Sequence, residues 1–355
     1  MRLKRLRHAM SENSRYEDIQ YLQQLSVTHI ATRIFALGLQ LGVFDAIGDE
    51  GKTVAEMAEA ASSSVRGIRI LLDCLVSFHL LRKAQQRYWL TPVSARYLRK
   101  SSPDYMGHLW ESELSLELWN HLNDAIRTGK PLRTPGTPEQ EGASFAGLVR
   151  SLYVVNREPA ARAAQVLGAG FTHQGMSVLD VACGSGVWGI AIAQADPQSR
   201  IVAQDLPPVL EITKGYVAQH NVEEQFAYLP GDLRKVDFGK SRFDLAILGN
   251  IVHSEGERFS RDLLMRIHPA LKDTGRIVII DIIPDEQRTG PQASLLVALA
   301  MLLDTEEGDL FTLSEFKEWL TEAGYEGFET AGIGSHSPLI IARKRPTPEA
   351  DHLGK

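Results

Sequence analysis

The stretch Val178-Leu179-Asp180-Val181-Ala182-Cys183-Gly184-Ser185-Gly186-Val187-Trp188-Gly189 constrains the fold of this chain more than any other. An apolar run suited to a buried strand meets closely spaced glycines, and a helical stretch follows. A strand that enters a helix through a tight glycine turn presents backbone N–H groups at the helix start, where a ligand can reach them. The rest of the chain repeats this grammar, with short β-rich runs alternating with helical stretches, which is the pattern of a parallel sheet covered by helices. Strands are expected at 177–181, 200–203, 226–229, 243–248 and 276–281, with two more near 328–332 and 339–343. The fold class is α/β, a doubly wound Rossmann-like sheet over residues 169–345.

With 355 residues, the chain has room for a second domain upstream. Ile19, Leu22, Leu25, His29, Ile30, Ile34, Leu37 and Leu41 recur at helical steps and mark one apolar stripe. Thr53 with Glu56 three residues on has the capping-box pattern. A helix over 65–81 and a short wing strand at Arg87-Tyr88-Trp89-Leu90, closed by Pro92, complete a winged-helix-like unit over 15–102. The unit is rich in Arg and Lys, so DNA binding has to be weighed. Its would-be recognition helix reads Ile70-Leu71-Leu72-Asp73-Cys74-Leu75-Val76, whereas a helix that reads base edges must present polar side chains. Burial in a dimerisation scaffold fits better, and the net charge of −6 also argues against nucleic acid as a partner. Residues 1–14 read as a disordered basic arm, 103–168 as a helical linker with a helix over 145–167, and 346–355 as a tail. No apolar run reaches the ~18–20 residues of a membrane span. Two cysteines, far apart in sequence, suit a cytoplasmic setting and offer no metal site.

The glycines Gly184, Gly186 and Gly189 satisfy G-x-G-x-x-G, which alone equally suggests a dinucleotide. Asp180 ends the strand that enters this loop, and its carboxylate would repel a pyrophosphate there by roughly 1–4 kcal/mol at ~4 Å. S-adenosylmethionine has no phosphate and carries a sulfonium and an ammonium, which suit an acidic loop. Asp205, at the next strand tip and followed by Leu206, is placed to accept both ribose hydroxyls. Asp232 and Leu233, after the third strand, are candidates for the adenine amino group and ring face. Three acids at successive strand ends stand where open α/β sheets bind ligands.

With those residues in place, the chain resembles the caffeate and hydroxyindole type of S-adenosylmethionine-dependent O-methyltransferase. The resemblance runs through Asp205-Leu206-Pro207, Trp119-Asn120-His121-Leu122 leading to Arg127-Thr128-Gly129-Lys130-Pro131, and Thr312-Leu313-Ser314-Glu315-Phe316 with Ala323-Gly324-Tyr325. It implies strand order 3-2-1-4-5-7-6 with one antiparallel strand, and a homodimer whose subunits lend walls to each other's pockets. In Leu248-Gly249-Asn250-Ile251-Val252-His253 it implies that Asn250 lies at the cofactor and that His253 is the general base. Asp281 matches the first of two acids that orient such a base. The second falls on Leu310, so either the neighbouring Asp309 substitutes for it or the second acid is absent. Tyr153 and Asn156 on one helix, and Leu299, Met301 and Leu303 on another, are the implied walls of a pocket for a flat aromatic acceptor. His268 and His336 fall outside the motif and read as structural. Methylation of carbon or nitrogen, S-adenosylmethionine binding put to non-methylating chemistry, and a winged-helix regulator stay open as alternatives.

Overall fold

The computed structural model describes residues 2–111, 119–131, 138–335 and 337–346, which leaves His336 and most of the expected tail outside the described residues. The chain divides into two units, Met1–Glu113 and Leu114–Lys355. Residues 103–113 of the expected linker thus belong with the first unit and the remainder with the second.

In the first unit, helices α1 (Arg2–Gln40) and α2 (Val43–Ile47) precede strand β1 (Lys52–Thr53) and helices α3 (Val54–Ala60) and α4 (Val65–Ser77). Strands β2 (Leu81–Ala84) and β3 (Arg87–Leu90) and helices α5 (Pro92–Tyr97) and α6 (His108–Glu111) complete it. Helix α1 begins at residue 2, where the sequence suggested an irregular arm. The capping box at the start of α3 is present: Glu56 N–H donates to Thr53 Oγ1, and Glu56 Oε2 accepts from Thr53 N–H at 2.6 Å. Helix α4 buries Ile68, Leu71, Leu72 and Leu75 against Phe44, Ile47, Met57 and Tyr88, as its apolar face requires. Lys83 and Arg69 meet Asp73, which also accepts from the Tyr88 hydroxyl at 2.7 Å, Arg87 meets Glu56, and Arg82 lies over the Trp89 ring. The α1 stripe behaves differently. Ile19, Leu22, Leu25, Ile30 and Leu37 are 42–61% exposed, while Ala36 and Leu39 make the packing face.

The second unit begins with α7 (Leu122–Thr128) and α8 (Pro138–Val166), the latter starting ahead of residue 145, where the sequence placed the start of a helix. Then come β4 (Ser177–Val181), α9 (Val187–Ala195), β5 (Arg200–Asp205), α10 (Pro207–Gln219), β6 (Phe226–Pro230) and β7 (Phe243–Gly249). After these come α11 (Val252–Ile267), β8 (Leu271–Ile280), α12 (Gln292–Asp304), α13 (Leu313–Glu322), β9 (Tyr325–Ala331) and β10 (Leu339–Lys344). The sheet order is β6-β5-β4-β7-β8-β10-β9. Counted from β4 as the first strand, this is the expected 3-2-1-4-5-7-6, with β10 antiparallel to both neighbours.

Side chains alternate across each strand, so one strand feeds two cores. Val178, Ile201, Leu245 and Ile247 face Ala160, Ala164 and Ile190, while Leu179, Val181, Ala246 and Leu248 face Leu264, Ile267, Phe316 and Trp319. Each fully buried large side chain contributes about 1.5–3 kcal/mol, enough to hold the parallel strand ends in fixed register. Among the described residues no helix is long and apolar enough to cross a membrane.

Candidate active site

The carboxyl ends of five parallel strands carry the site. At the first, Asp180 is fully buried, and its Oδ2 accepts the Gly189 N–H at 3.0 Å. A Cβ on Gly189 would stand 2.9 Å from that oxygen and 2.8 Å from Ile201, so only glycine leaves the carboxyl its place. Burial raises the Asp180 carboxyl to about 8, with the charge of Asp205 adding to the rise and the Gly189 N–H opposing it. At neutral pH the group is therefore mainly protonated. This corrects the expectation that it lines the crevice as a charge able to turn away phosphate: it anchors the start of α9 from beneath.

Asp205 carries the charge instead. Its Oδ2 accepts the Gly184 N–H at 2.8 Å and its Oδ1 the Leu206 N–H at 2.7 Å. Burial raises this carboxyl to about 6 against those two hydrogen bonds, which leaves it mostly ionised at neutral pH. Each oxygen keeps lone-pair capacity, so the group can still accept from a vicinal diol. Gly184 and Gly186 have φ of 57° and 74°, and a Cβ on Gly184 would meet only Val149 at 4.0 Å, so this turn is open to a ligand. At the next strand end, burial pushes Asp232 up, but hydrogen bonding from the Arg234 N–H and pairing with Lys235 at 3.2 Å outweigh it and hold the carboxyl below its ordinary value. Leu233 is buried in the core with Val181 and Phe238.

The fourth strand leads into the turn that carries Asn250 and His253. Asn250 has φ 60°, and its side-chain Oδ1 is buried with no hydrogen-bond partner among the described residues. Gly249 before it lies under the Trp188 indole, where a Cβ would come within 2.2 Å of Nε1. His253 lies in the first turn of α11, which breaks at Gly256 (φ 78°, ψ 168°). Its Nδ1 lies 2.6 Å from Asp281 Oδ1, and its backbone N–H donates to Oδ2 of the same carboxyl at 3.2 Å. Asp281 is 1% exposed and is further fixed by the Ile282 N–H. Burial lowers the imidazole's affinity for a proton, but the Asp281 charge and hydrogen bond outweigh it and raise the pKa above the ordinary value.

Asp309 does not join this pair. Its side chain accepts the Leu310 N–H at 2.7 Å and lies 3.9 Å from Arg288, while only its backbone N–H reaches His253, at the carbonyl oxygen. Leu310 is fully buried, and the turn's geometry points the acid outward. Tyr153 is also mostly committed: it stacks on Tyr216 at 3.9 Å, and its hydroxyl bonds His220 Nε2. Asn156 is 9% exposed, Leu299 and Met301 are half-buried on α12, and Leu303 is fully buried as core. His268 is structural, its Nε2 at 3.1 Å from the Gly324 carbonyl. Two site residues escape a sequence reading: Trp188, over Gly249, and Glu255, whose ion pair with Arg234 at 2.8 Å joins the Asp232 turn to the His253 turn. Glu255 stands two residues past His253, but nothing in its spacing names Arg234 as partner.

A methyltransferase-type sheet with a glycine turn, an acid at the second strand tip and a histidine–aspartate pair at the fourth and fifth defines a nucleoside-dependent group-transfer enzyme. Comparison with known proteins makes the assignment specific. The O-methyltransferase domain family matches residues 119–326 and the O-methyltransferase dimerisation domain family matches 23–100, so the chain belongs to the O-methyltransferase family. It is 28% identical over 333 residues to the tetracenomycin polyketide synthesis 8-O-methyl transferase TcmO of Streptomyces glaucescens, covering 90% of this chain and 95% of that protein. It is 29% identical over 342 residues to human acetylserotonin O-methyltransferase, covering 89% and 94%. The crystal structure of human N-acetylserotonin methyltransferase in complex with S-adenosylmethionine superimposes with a TM-score of 0.80 at 25% identity, covering 92% of this chain and 97% of that one. The enzyme is an S-adenosylmethionine-dependent O-methyltransferase. The residues fit that cofactor: the open glycine turn, the ionised Asp205 and the unpartnered Asn250 oxygen supply the acceptors and clearance that a cationic nucleoside needs.

Proposed function

We propose that this enzyme methylates a hydroxyl of an aromatic small molecule of secondary metabolism, with His253 as general base and Asp281 holding its ring. The 2.6 Å contact between His253 Nδ1 and Asp281 Oδ1 carries this reading. A carboxylate accepts only, so Nδ1 bears the proton and Nε2 keeps its lone pair for the acceptor hydroxyl. S-adenosylmethionine, when bound over Asp205 and the glycine turn, supplies the electrophilic methyl group. His253 takes the hydroxyl proton as the oxygen attacks, a contribution of typically 10²–10⁴-fold. The half-buried apolar side chains of α12, Leu299 and Met301 among them, line the acceptor side and limit water.

Support for an aromatic acceptor comes from TcmO, named for tetracenomycin polyketide synthesis, and from the acetylserotonin enzyme. The dimerisation-domain match, together with the exposed apolar stripe of α1, supports a homodimer. Free Cys74 and Cys183 are in keeping with a reducing cytoplasm. The test is a panel of phenols and their non-hydroxylated analogues, incubated with methyl-labelled cofactor and read by mass spectrometry. One labelled methyl on oxygen is expected, with turnover abolished or nearly so in His253→Ala. Label on carbon or nitrogen, or a product without label, would refute the proposal.

A further inference from the structure

We propose that Gln204 is a positioning residue for the nucleoside of S-adenosylmethionine, its amide fastening the glycine turn to the turn that carries Asp232. The proposal rests on the cofactor assignment above and adds a residue outside the three acids. Gln204 is 1% exposed and sits next to the end of β5, in register with Val181 on one side and Leu229 on the other. A buried polar side chain between aliphatic neighbours is tolerated when its polar atoms are paired, and both ends of this one are. Oε1 accepts the Ala182 N–H at 3.2 Å, and Nε2 donates to the Gly231 carbonyl at 2.8 Å.

Both partners need holding. Ala182 has φ 48°, a left-handed conformation unfavourable for a residue with a Cβ, and it begins the turn whose Gly184 N–H meets Asp205. Gly231, at φ 152°, begins the turn that presents Asp232. The backbone reinforces the same joint: the Gln204 carbonyl accepts the Cys183 N–H at 2.9 Å, and the Asp205 carbonyl accepts the Gly231 N–H at 3.0 Å. Gln204 and Asp205 thus hold the turns on both sides of β5, and among the described residues it is the glutamine amide that bridges from Ala182 to Gly231. A space-filling residue would keep the core packed but leave the Ala182 N–H and the Gly231 carbonyl without this partner, the joint then resting on the two backbone bonds.

Gln204→Met keeps length and volume while removing donor and acceptor. Calorimetry with S-adenosylhomocysteine should show affinity weakened by about 10–100-fold, the loss expected when two partly buried backbone groups lose their partner. Amides around 182–184 and 231–233 should exchange deuterium faster than in the wild type. With a phenol the wild type methylates, cofactor KM should rise by about tenfold or more, while kcat stays within about threefold and acceptor KM holds. If the Met variant does not fold, Gln204→Glu carries the test. As pH rises and the buried carboxyl ionises, it still accepts from Ala182 but meets the Gly231 carbonyl with like polarity, so affinity should fall and exchange at 231–233 should rise with increasing pH. Unchanged affinity in a folded variant, or kcat and acceptor KM degraded as much as cofactor KM, overturns the proposal. A wild type that itself fails to bind S-adenosylhomocysteine overturns the cofactor reading and this proposal together.

Discussion

Replacing Asp281 by Asn changes the acceptor at His253 Nδ1 while keeping the side chain's shape. In the wild type the carboxylate, 1% exposed and 2.6 Å from Nδ1, fixes the tautomer and favours the imidazolium. A charge-assisted hydrogen bond of this kind is worth roughly 1.5–3 kcal/mol, which corresponds to about 1–2 pKa units. Since burial already pulls the imidazole down and only Asp281 pulls it up, Asp281→Asn should drop it below its ordinary 6.5. Base catalysis needs the neutral ring, so the acid limb of the kcat/KM profile lies above that value in the wild type and should move down by about 1–2 pH units. The plateau should fall as well. An Asn amide can donate to Nδ1, which shifts the ring proton to Nε2 and removes the base, at a cost of roughly 10²–10⁴-fold. Stability follows the same linkage. A raised histidine pKa stabilises the fold below 6.5 and loses that contribution as pH rises through the folded value, so the variant should lose most in acid. A pH–rate series across the neutral range, paired with melting curves, decides the matter. An acid limb that stays in place with a plateau within about threefold of wild type would falsify the assignment of His253 as an Asp281-tuned base.

Three further changes probe the surrounding structure. Asp180→Asn keeps an acceptor for Gly189 and removes the titration: the buried acid, raised from 3.8 to about 8, binds its proton more tightly folded than unfolded. Its stabilisation is complete in acid and declines by about 1.4 kcal/mol per unit as pH climbs toward about 8, so the variant's melting temperature should gain on wild type with rising pH. A difference that stays constant across that range would refute the raised value. Asp205→Ala should weaken S-adenosylhomocysteine binding by about 10²-fold in calorimetry, through loss of the diol acceptor and of the Gly184 anchor, and undiminished affinity would count against its role. Ile30→Glu, on the exposed α1 stripe, should yield monomers in sedimentation while the second unit stays folded, and an unchanged sedimentation coefficient would place the dimer contact elsewhere.

The sheet was readable because its strands are short apolar β-branched runs punctuated by glycine and acid, and every expected strand has a counterpart within a few residues. The largest shift is at β8, which begins at Leu271, ahead of the expected 276. The polar Lys272-Asp273-Thr274-Gly275 segment hides a strand whose pairing with β7 slips between Phe243 and Leu245. The helical period of α1 was legible, yet period says nothing of what covers the stripe, and the chain itself leaves it exposed. Side-chain direction was least accessible. Asp309 has the right type in the right turn, and its carboxyl points to Leu310 and Arg288 because the backbone of that turn, bonded to the His253 carbonyl, sets it so. Gln204 gave only one faint signal, a polar residue at a buried strand position, and its two partners are 22 and 27 residues away.

The acids show how burial assigns different work to one residue type. Asp180 and Asp205 end adjacent strands, and each is pushed upward mainly by burial, yet one reaches about 8 and the other about 6. The difference follows from partners. Asp205 receives two backbone N–H groups that favour its charged form, whereas Asp180 receives one and also sits in the field of Asp205. Near neutral pH the pair therefore carries close to one negative charge, located on the side chain that faces the open glycine turn. Asp281 is also enclosed, but His253 Nδ1 stands 2.6 Å from it as a hydrogen-bond donor. In the proposed mechanism its charge sets the tautomer of His253, so the two acids stand at separate strand ends, Asp205 beside the glycine turn and Asp281 beside the imidazole.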